Sequence, residues 1–245
     1  SIFLVQWHWP AALAVLAVVG ITTLLGALNG FLITKVRMQP FIVTLCGLLF
    51  YRGLARFIAN DETKGFGAAT GFESLQKAAT GSVLGVPTPF IILIVISVVA
   101  WVVLHRSIYG RYLFAVGRNE TAARYSGINA NLVIASAYVL CGFLAAIAGI
   151  LFAFYTNSVQ PSAHGNFYEL YGIAAAVLGG CSLRGGEGSI IGILIGTALL
   201  QVLQNLVNLL GIPSSLNFAV MGAVILIGVT ADQLLKTRRA ARVTK

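Results

Sequence analysis

Apolar residues run almost unbroken through seven stretches of the chain, roughly 11–34, 41–60, 88–105, 131–156, 168–181, 189–210 and 214–234. A helix needs about 20 mainly apolar residues, with a range of about 17 to 25, to cross a bilayer. The pattern predicts an all-α, polytopic transmembrane helix bundle of about seven spans, built as a single membrane domain over 1–245. The fifth stretch is short and interrupted by glycine, and its length leaves open whether it crosses completely.

Charge supports this reading and orients it. Only 9% of residues are charged and 58% are hydrophobic, whereas soluble domains carry about 25% charged residues. Too little polar surface is available to cover a globule in water. Of 16 basic residues, twelve fall in alternate connections: Lys35, Arg37, Arg106, Arg111, Arg118, Arg124, Arg184, Lys236, Arg238, Arg239, Arg242 and Lys245. The opposite connections hold Lys64 and Lys77, while Arg52 and Arg56 lie inside the second stretch. The positive-inside rule then predicts a cytoplasmic C-terminus and a cytoplasmic 106–130 loop. This alternation requires the fifth stretch to cross. The net charge of +9 is thereby assigned to topology and anionic lipid headgroups, and nucleic acid is not an expected partner. The chain starts without Met and shows no cleavable leader, so it is expected to begin inside a longer protein.

Several polar positions interrupt the apolar pattern. In 106–130, Asn119 suits a helix N-cap, Glu120 suits the positive end of a helix dipole, and Gly127 suits the C′ position. A helix of about two turns over 120–126 is expected there. Gln201, Gln204, Asn205 and Asn208 recur at i, i+3, i+4 and i+7, one polar face on an apolar helix. They are read either as interhelical hydrogen-bonding groups or as the lining of a polar path, and Asn29 and Thr44 are weaker candidates for the same lining. Gly188, Gly192 and Gly196 repeat every four residues and predict close helix packing. Glycines 179, 180, 185 and 186 predict a re-entrant or broken-helix turn. Arg52 and Arg56 are expected to snorkel outward or to pair with Asp61 or Glu62, and GFESLQKAAT (71–80) is expected to form a short surface helix. Cys46, Cys141 and Cys181 have no metal-binding spacing and read as buried thiols. No cluster suited to metal binding or nucleophilic catalysis is visible.

The stretch GRYLFAVGRNETAARYSGI (110–128) resembles the cytoplasmic loop of permeases from bacterial ribose-type ABC sugar importers. Three further blocks match in the same order: GALNGFLITKVRMQPFIVTLCGLLFYRG (26–53), LGVPTPF (84–90) and AAAVLGGCSLRGGEGSIIGILIGTALL (174–200). The resemblance covers about residues 20 to 235. It implies that the loop docks on a cytoplasmic ABC ATPase through Gly117, Arg118, Asn119, Glu120, Ala122, Ala123, Ser126 and Gly127. It further implies a periplasmic sugar-binding protein, a second permease subunit, and a bacterial inner-membrane location. ATP–Mg would belong to the ATPase, with no cofactor or metal held by this chain and no catalysis of its own. Family members usually carry about three further N-terminal helices, which this chain is expected to lack.

Rival readings are a branched-chain amino-acid importer permease, an ion-coupled secondary transporter and a polytopic membrane enzyme. The first needs groups for a zwitterion, the second intramembrane acidic or His residues, and the third a catalytic cluster.

Overall fold

The structure is a computed structural model that describes residues 9–66, 73–83 and 85–211, with isolated positions between 216 and 230. Most of the expected span at 214–234, and the basic tail, lie outside the described residues. Within them the chain forms α1 (Ala11–Thr34), α2 (Pro40–Ile58), β1 (Lys64–Gly65), α3 (Glu73–Thr80), β2 (Ser82–Val83), β3 (Val86–Pro87) and α4 (Thr88–Arg106). There follow α5 (Ile108–Arg118), α6 (Glu120–Tyr125), α7 (Ala130–Thr156), β4 (Ser158–Val159), α8 (Tyr168–Leu178) and α9 (Ile190–Leu209).

Five of the described helices, α1, α2, α4, α7 and α9, are long and apolar enough to cross a membrane. Their ends follow from local chemistry. Pro40 opens α2 at a position where a missing N–H costs nothing. The Ser107, Asn129 and Ser189 side chains accept from the backbone N–H groups of Gly110, Leu132 and Gly192, starting α5, α7 and α9. Inside the spans, the Thr22, Thr34, Thr44 and Thr197 hydroxyls donate to carbonyls one turn back, which satisfies them where water is absent. The helix in the fifth stretch, α8, has 11 residues. At 1.5 Å per residue it reaches roughly 16 Å, about half of a 30 Å hydrocarbon core. Alone it falls short of a full crossing, so the crossing that the charge alternation requires would also draw on the residues flanking it.

Two departures from the sequence reading stand out. The 106–130 segment, expected as a loop carrying one short helix, also contains the 11-residue α5. Ser107 caps it, and its Gly110 and Val116 are buried. The three cysteines are free, but Cys46 and Cys141 are exposed on their helices rather than buried in a protein core. In a membrane, lipid covers such faces, so an apolar position needs no protein neighbour.

Among the described residues the contacts gather into two compact units, one within Ser1–Val99 and Thr121–Asn166, the other within Ala100–Glu120 and Phe167–Lys245. The first is organised by α1 against α7. A Cβ added to Gly26 would stand 2.5 Å from the Tyr138 carbonyl oxygen and 3.3 Å from the Gly142 Cα. One added to Gly142 would stand 2.6 Å from the Thr22 carbonyl oxygen, and one on Gly30 would stand 3.0 Å from the Ala135 Cα. Backbone therefore touches backbone. Lipid tails are as apolar as side chains, so close packing of this kind, rather than hydrophobic burial, holds helices together. At one end of this unit β1 pairs antiparallel with β4, and Phe66, only 2% exposed, packs against Ala14 and Phe154. The expected surface helix forms as α3, and its Gln76 amide donates to the Phe154 carbonyl at 3.2 Å.

The intramembrane arginines find partners in the same unit. Arg56 donates two hydrogen bonds to Asp61, at 2.9 and 2.6 Å, and Arg52 donates to the Asn166 side-chain oxygen. The bonds from Arg56 hold the Asp61 carboxyl below its usual range, and Lys64 does the same for Glu62.

The second unit is built on α8 against α9, where Ala174, Ala175 and Leu200 are buried together. After α8 the Gly180 N–H donates to the Val177 carbonyl and the Cys181 N–H to the Ala176 carbonyl, both at 2.9 Å. Gly180 has φ +86°. This is the Schellman arrangement, and it ends α8 cleanly.

Candidate functional site

The residues expected to dock a partner are arranged locally around two helix ends. In the second unit, α5 ends at Arg118, and Asn119 takes an extended conformation (φ −158°, ψ 101°) that begins a new helix. Glu120 opens α6 as an acidic first-turn residue. In the first unit, α6 closes at Tyr125. The Gly127 N–H donates to the Arg124 carbonyl at 3.0 Å and the Ile128 N–H to the Ala123 carbonyl at 3.1 Å. Gly127 has φ +82°. A second Schellman end thus stands where Gly127 was expected at C′, and the helix stops one residue short of the expected 120–126.

Exposure divides the set. Arg118, Asn119, Glu120, Ala122, Ser126 and Gly127 are exposed. Ala123 is 5% exposed and, unlike its neighbours, offers little surface to a partner. Gly117 is half-buried and packs on Gly185 and Gly186, so its role is internal as well. Tyr125 stands outside the docking set that the resemblance implies, but it is 88% exposed and adds an aromatic surface to the short helix. Its signal was present: the helical period puts Tyr125 beside Ala122, away from Ala123.

The amide row on α9 is real and unpartnered within the described residues. Gln201, Asn205 and Asn208 are exposed and Gln204 is half-buried, while Leu200 and Val207 face inward. No hydrogen bond to any of the four amides occurs among the described residues. The weaker candidates behave differently. Asn29 accepts a hydrogen bond from the Tyr51 hydroxyl at 3.1 Å, and the Thr44 hydroxyl is folded back on Pro40 and Phe41 of its own helix. They belong to the first unit and the amides to the second. Gly192 and Gly196 meet Gly179 and Ala175 of the neighbouring helix end. Gly188 does not share that face. It precedes the Ser189 cap, outside α9, and lies against the Cys181 sulfur.

A cavity of about 300 Å³ in the first unit is lined by Ala14, Val18, Phe66, Ala146, Gly149 and Phe154, among others. Its one hydroxyl, from Thr22, is already bonded to the Val18 carbonyl. The other lining side chains are apolar, so the cavity offers a hydroxylated solute few hydrogen-bonding groups. Among the described residues no group of three or more His, Cys, Asp or Glu is placed to hold a metal ion.

Five long apolar helices among the described residues, packed in part through glycine, define a multi-pass membrane protein. A family described as branched-chain amino acid transport system / permease component matches residues 1–229, and the chain belongs to that family. It is similar to the ribose import permease protein RbsC of Escherichia coli (strain K12), at 42% identity over 222 residues, covering 91% of this chain and 69% of that one. RbsC of Bacillus subtilis (strain 168) is 43% identical over 206 residues, 84% of this chain and 63% of the other. The D-allose transport system permease protein AlsC of Escherichia coli (strain K12) is 32% identical over 211 residues, 86% and 63% of the two chains. No solved structure matches.

Proposed function

We propose that this chain is the transmembrane subunit of an ATP-driven importer for a ribose-like monosaccharide in a bacterial inner membrane. The observation that carries this reading is the 42% identity to a ribose import permease across 91% of the chain. A periplasmic sugar-binding protein would deliver the substrate. Two permease subunits would enclose the path, and a cytoplasmic ABC ATPase holding ATP–Mg would grip the exposed part of 117–127. Closure of the ATPase would bias a helix bundle between two arrangements, the usual logic of alternating access.

The amide row favours a sugar over an amino acid. Uncharged amides donate and accept hydrogen bonds, as hydroxyl groups require, but bring no charge to neutralise a zwitterion. Gln204→Leu combined with Asn205→Leu is expected to insert at wild-type abundance and to lower ribose uptake at least tenfold. The assay is proteoliposomes containing the whole importer and its binding protein. Uptake within twofold of wild type would return these residues to helix packing.

The proposed orientation has its own test. In a chain whose native cysteines are replaced, Arg239→Cys should react with a membrane-impermeant maleimide in inside-out vesicles and stay unlabelled in intact spheroplasts. Labelling from outside would reverse the orientation.

A further inference from the structure

The glycine turn between α8 and α9 touches the stretch proposed to meet the ATPase. It is a self-closed loop. The Ser182 N–H donates to the Glu187 carbonyl at 3.1 Å, the Gly185 N–H to the Ser182 carbonyl at 3.0 Å, and the Arg184 N–H to the Ser182 hydroxyl at 3.2 Å. Gly185 and Gly186 have φ +87° and +75°, a backbone region that other residues enter only under strain. Their peptide lies directly on the end of α5. A Cβ at Gly117 would stand 2.5 Å from the Gly186 nitrogen, and one at Gly185 would stand 2.9 Å from the Gly117 carbonyl oxygen. One at Gly186 would stand 2.7 to 2.9 Å from the Arg118 N, Cα and Cβ atoms. Three glycines are thus mutually required. The Arg118 guanidinium lies 3.7 Å from the Glu187 carboxylate, but both side chains are well exposed, at 76% and 62%. An exposed pair of this kind contributes little, so the backbone contact is the stronger tie.

The turn is also rooted at its other end. Gly179 and Gly192 meet backbone to backbone, Gly196 reaches the Ala175 carbonyl, and Gly188 rests on Cys181. A continuous run of glycine contacts therefore joins Gly117 to α9, the helix that carries the amide row.

We infer that the 182–187 turn is a permanent clasp between the end of α5 and the α8–α9 pair, so that a pull at 117–120 displaces α9 and its amides as one body. This rests on the coupling role proposed above for 117–127. Interfaces packed this tightly transmit displacement because neither side has room to give. Gly186 and Gly117 are positioning residues in this scheme, and neither is required to touch sugar or ATPase.

The test compares two alanines with the same backbone demand. Gly180 has φ +86° with open space around it, whereas Gly186 has φ +75° and abuts Arg118. In the complete importer, Gly186→Ala is expected to keep its ATPase on co-purification, while ribose uptake and ribose-stimulated ATP hydrolysis fall at least tenfold. Gly180→Ala should lose less than threefold. Equal losses in the two variants would overturn the clasp by reducing the contact to a folding requirement. A second measurement does not depend on how well Gly186→Ala folds. With native cysteines replaced, Arg118→Cys and Glu187→Cys should be joined by a short bis-maleimide both without nucleotide and with vanadate-trapped nucleotide. The joined protein should retain at least half of the uptake that the same doubly substituted chain shows before joining. Failure to cross-link in either state, or loss of uptake on cross-linking, would mean that the contact opens during the cycle, and the clasp would be wrong. An unmodified chain that held no ATPase would sink the coupling role instead, and the cross-link would still report on the clasp.

Discussion

Gly127→Pro combined with Glu120→Lys is expected to abolish co-purification of the ATPase and to remove ribose-stimulated ATP hydrolysis, while the protein reaches the membrane at normal abundance. Gly127 has φ +82° and donates its N–H to the Arg124 carbonyl. Proline fixes φ near −65° and has no N–H, so both features of the helix end are lost, at a cost of more than about 1 kcal/mol. Lysine at the first position of α6 places positive charge at the positive end of the helix dipole, a further loss of about 1 kcal/mol. A helix of 6 residues has little stability of its own to offset this. The altered positions lie outside every described span, so insertion should be spared. Co-purification and hydrolysis are measured on the same detergent extract. If the double variant kept its ATPase and transported normally, 117–127 would be a topogenic linker and the coupling role would fall.

Gly142→Leu is expected to damage the protein itself rather than its coupling. The added side chain would enter the space held by the Thr22 carbonyl oxygen and the Gly26 Cα. A backbone neighbour cannot step aside by changing rotamer, and overpacking of this kind costs about 1–3 kcal/mol or more. Membrane abundance should fall severalfold, and the thermal midpoint in detergent should drop on the order of 10 °C. Gly20→Leu is the control, on an exposed position with nothing within 4 Å of an added Cβ; it should change neither quantity appreciably. Equal damage from both would mean that α1 and α7 do not meet through Gly142.

The pattern of sequence alone located much of this, and its omissions have a physical cause. Gly127 was legible because a left-handed helix end demands glycine locally, whatever surrounds it. The amide row was legible because a 3.6-residue period is a property of one helix. The Gly26–Gly30 pair had a readable spacing of four, but the spacing does not say which helix lies opposite, and Ala135, Tyr138 and Gly142 carry no matching mark. The α5 helix was missed because 108–118 is neither apolar enough for a span nor polar enough to stand out as a surface helix. The Arg56–Asp61 pair stood among the alternatives, beside outward snorkelling, because the two are 5 residues apart. The Arg52–Asn166 bond was not, being 114 residues apart.

Residence in the membrane, the placement of the long spans and the glycine-stopped helix at 120–125 follow from the sequence by itself. Each is decided within about 20 residues by hydropathy, chain length or the chirality of one backbone position. Tertiary structure alone decides that Ala123 is buried, that Asn29 is occupied by Tyr51 while the four amides of α9 have no described partner, and that Gly117 rests on Gly186. These depend on which remote segments come within a few ångströms of each other. In a membrane that choice rests on close fit between backbones, which no local pattern of apolar and polar residues records.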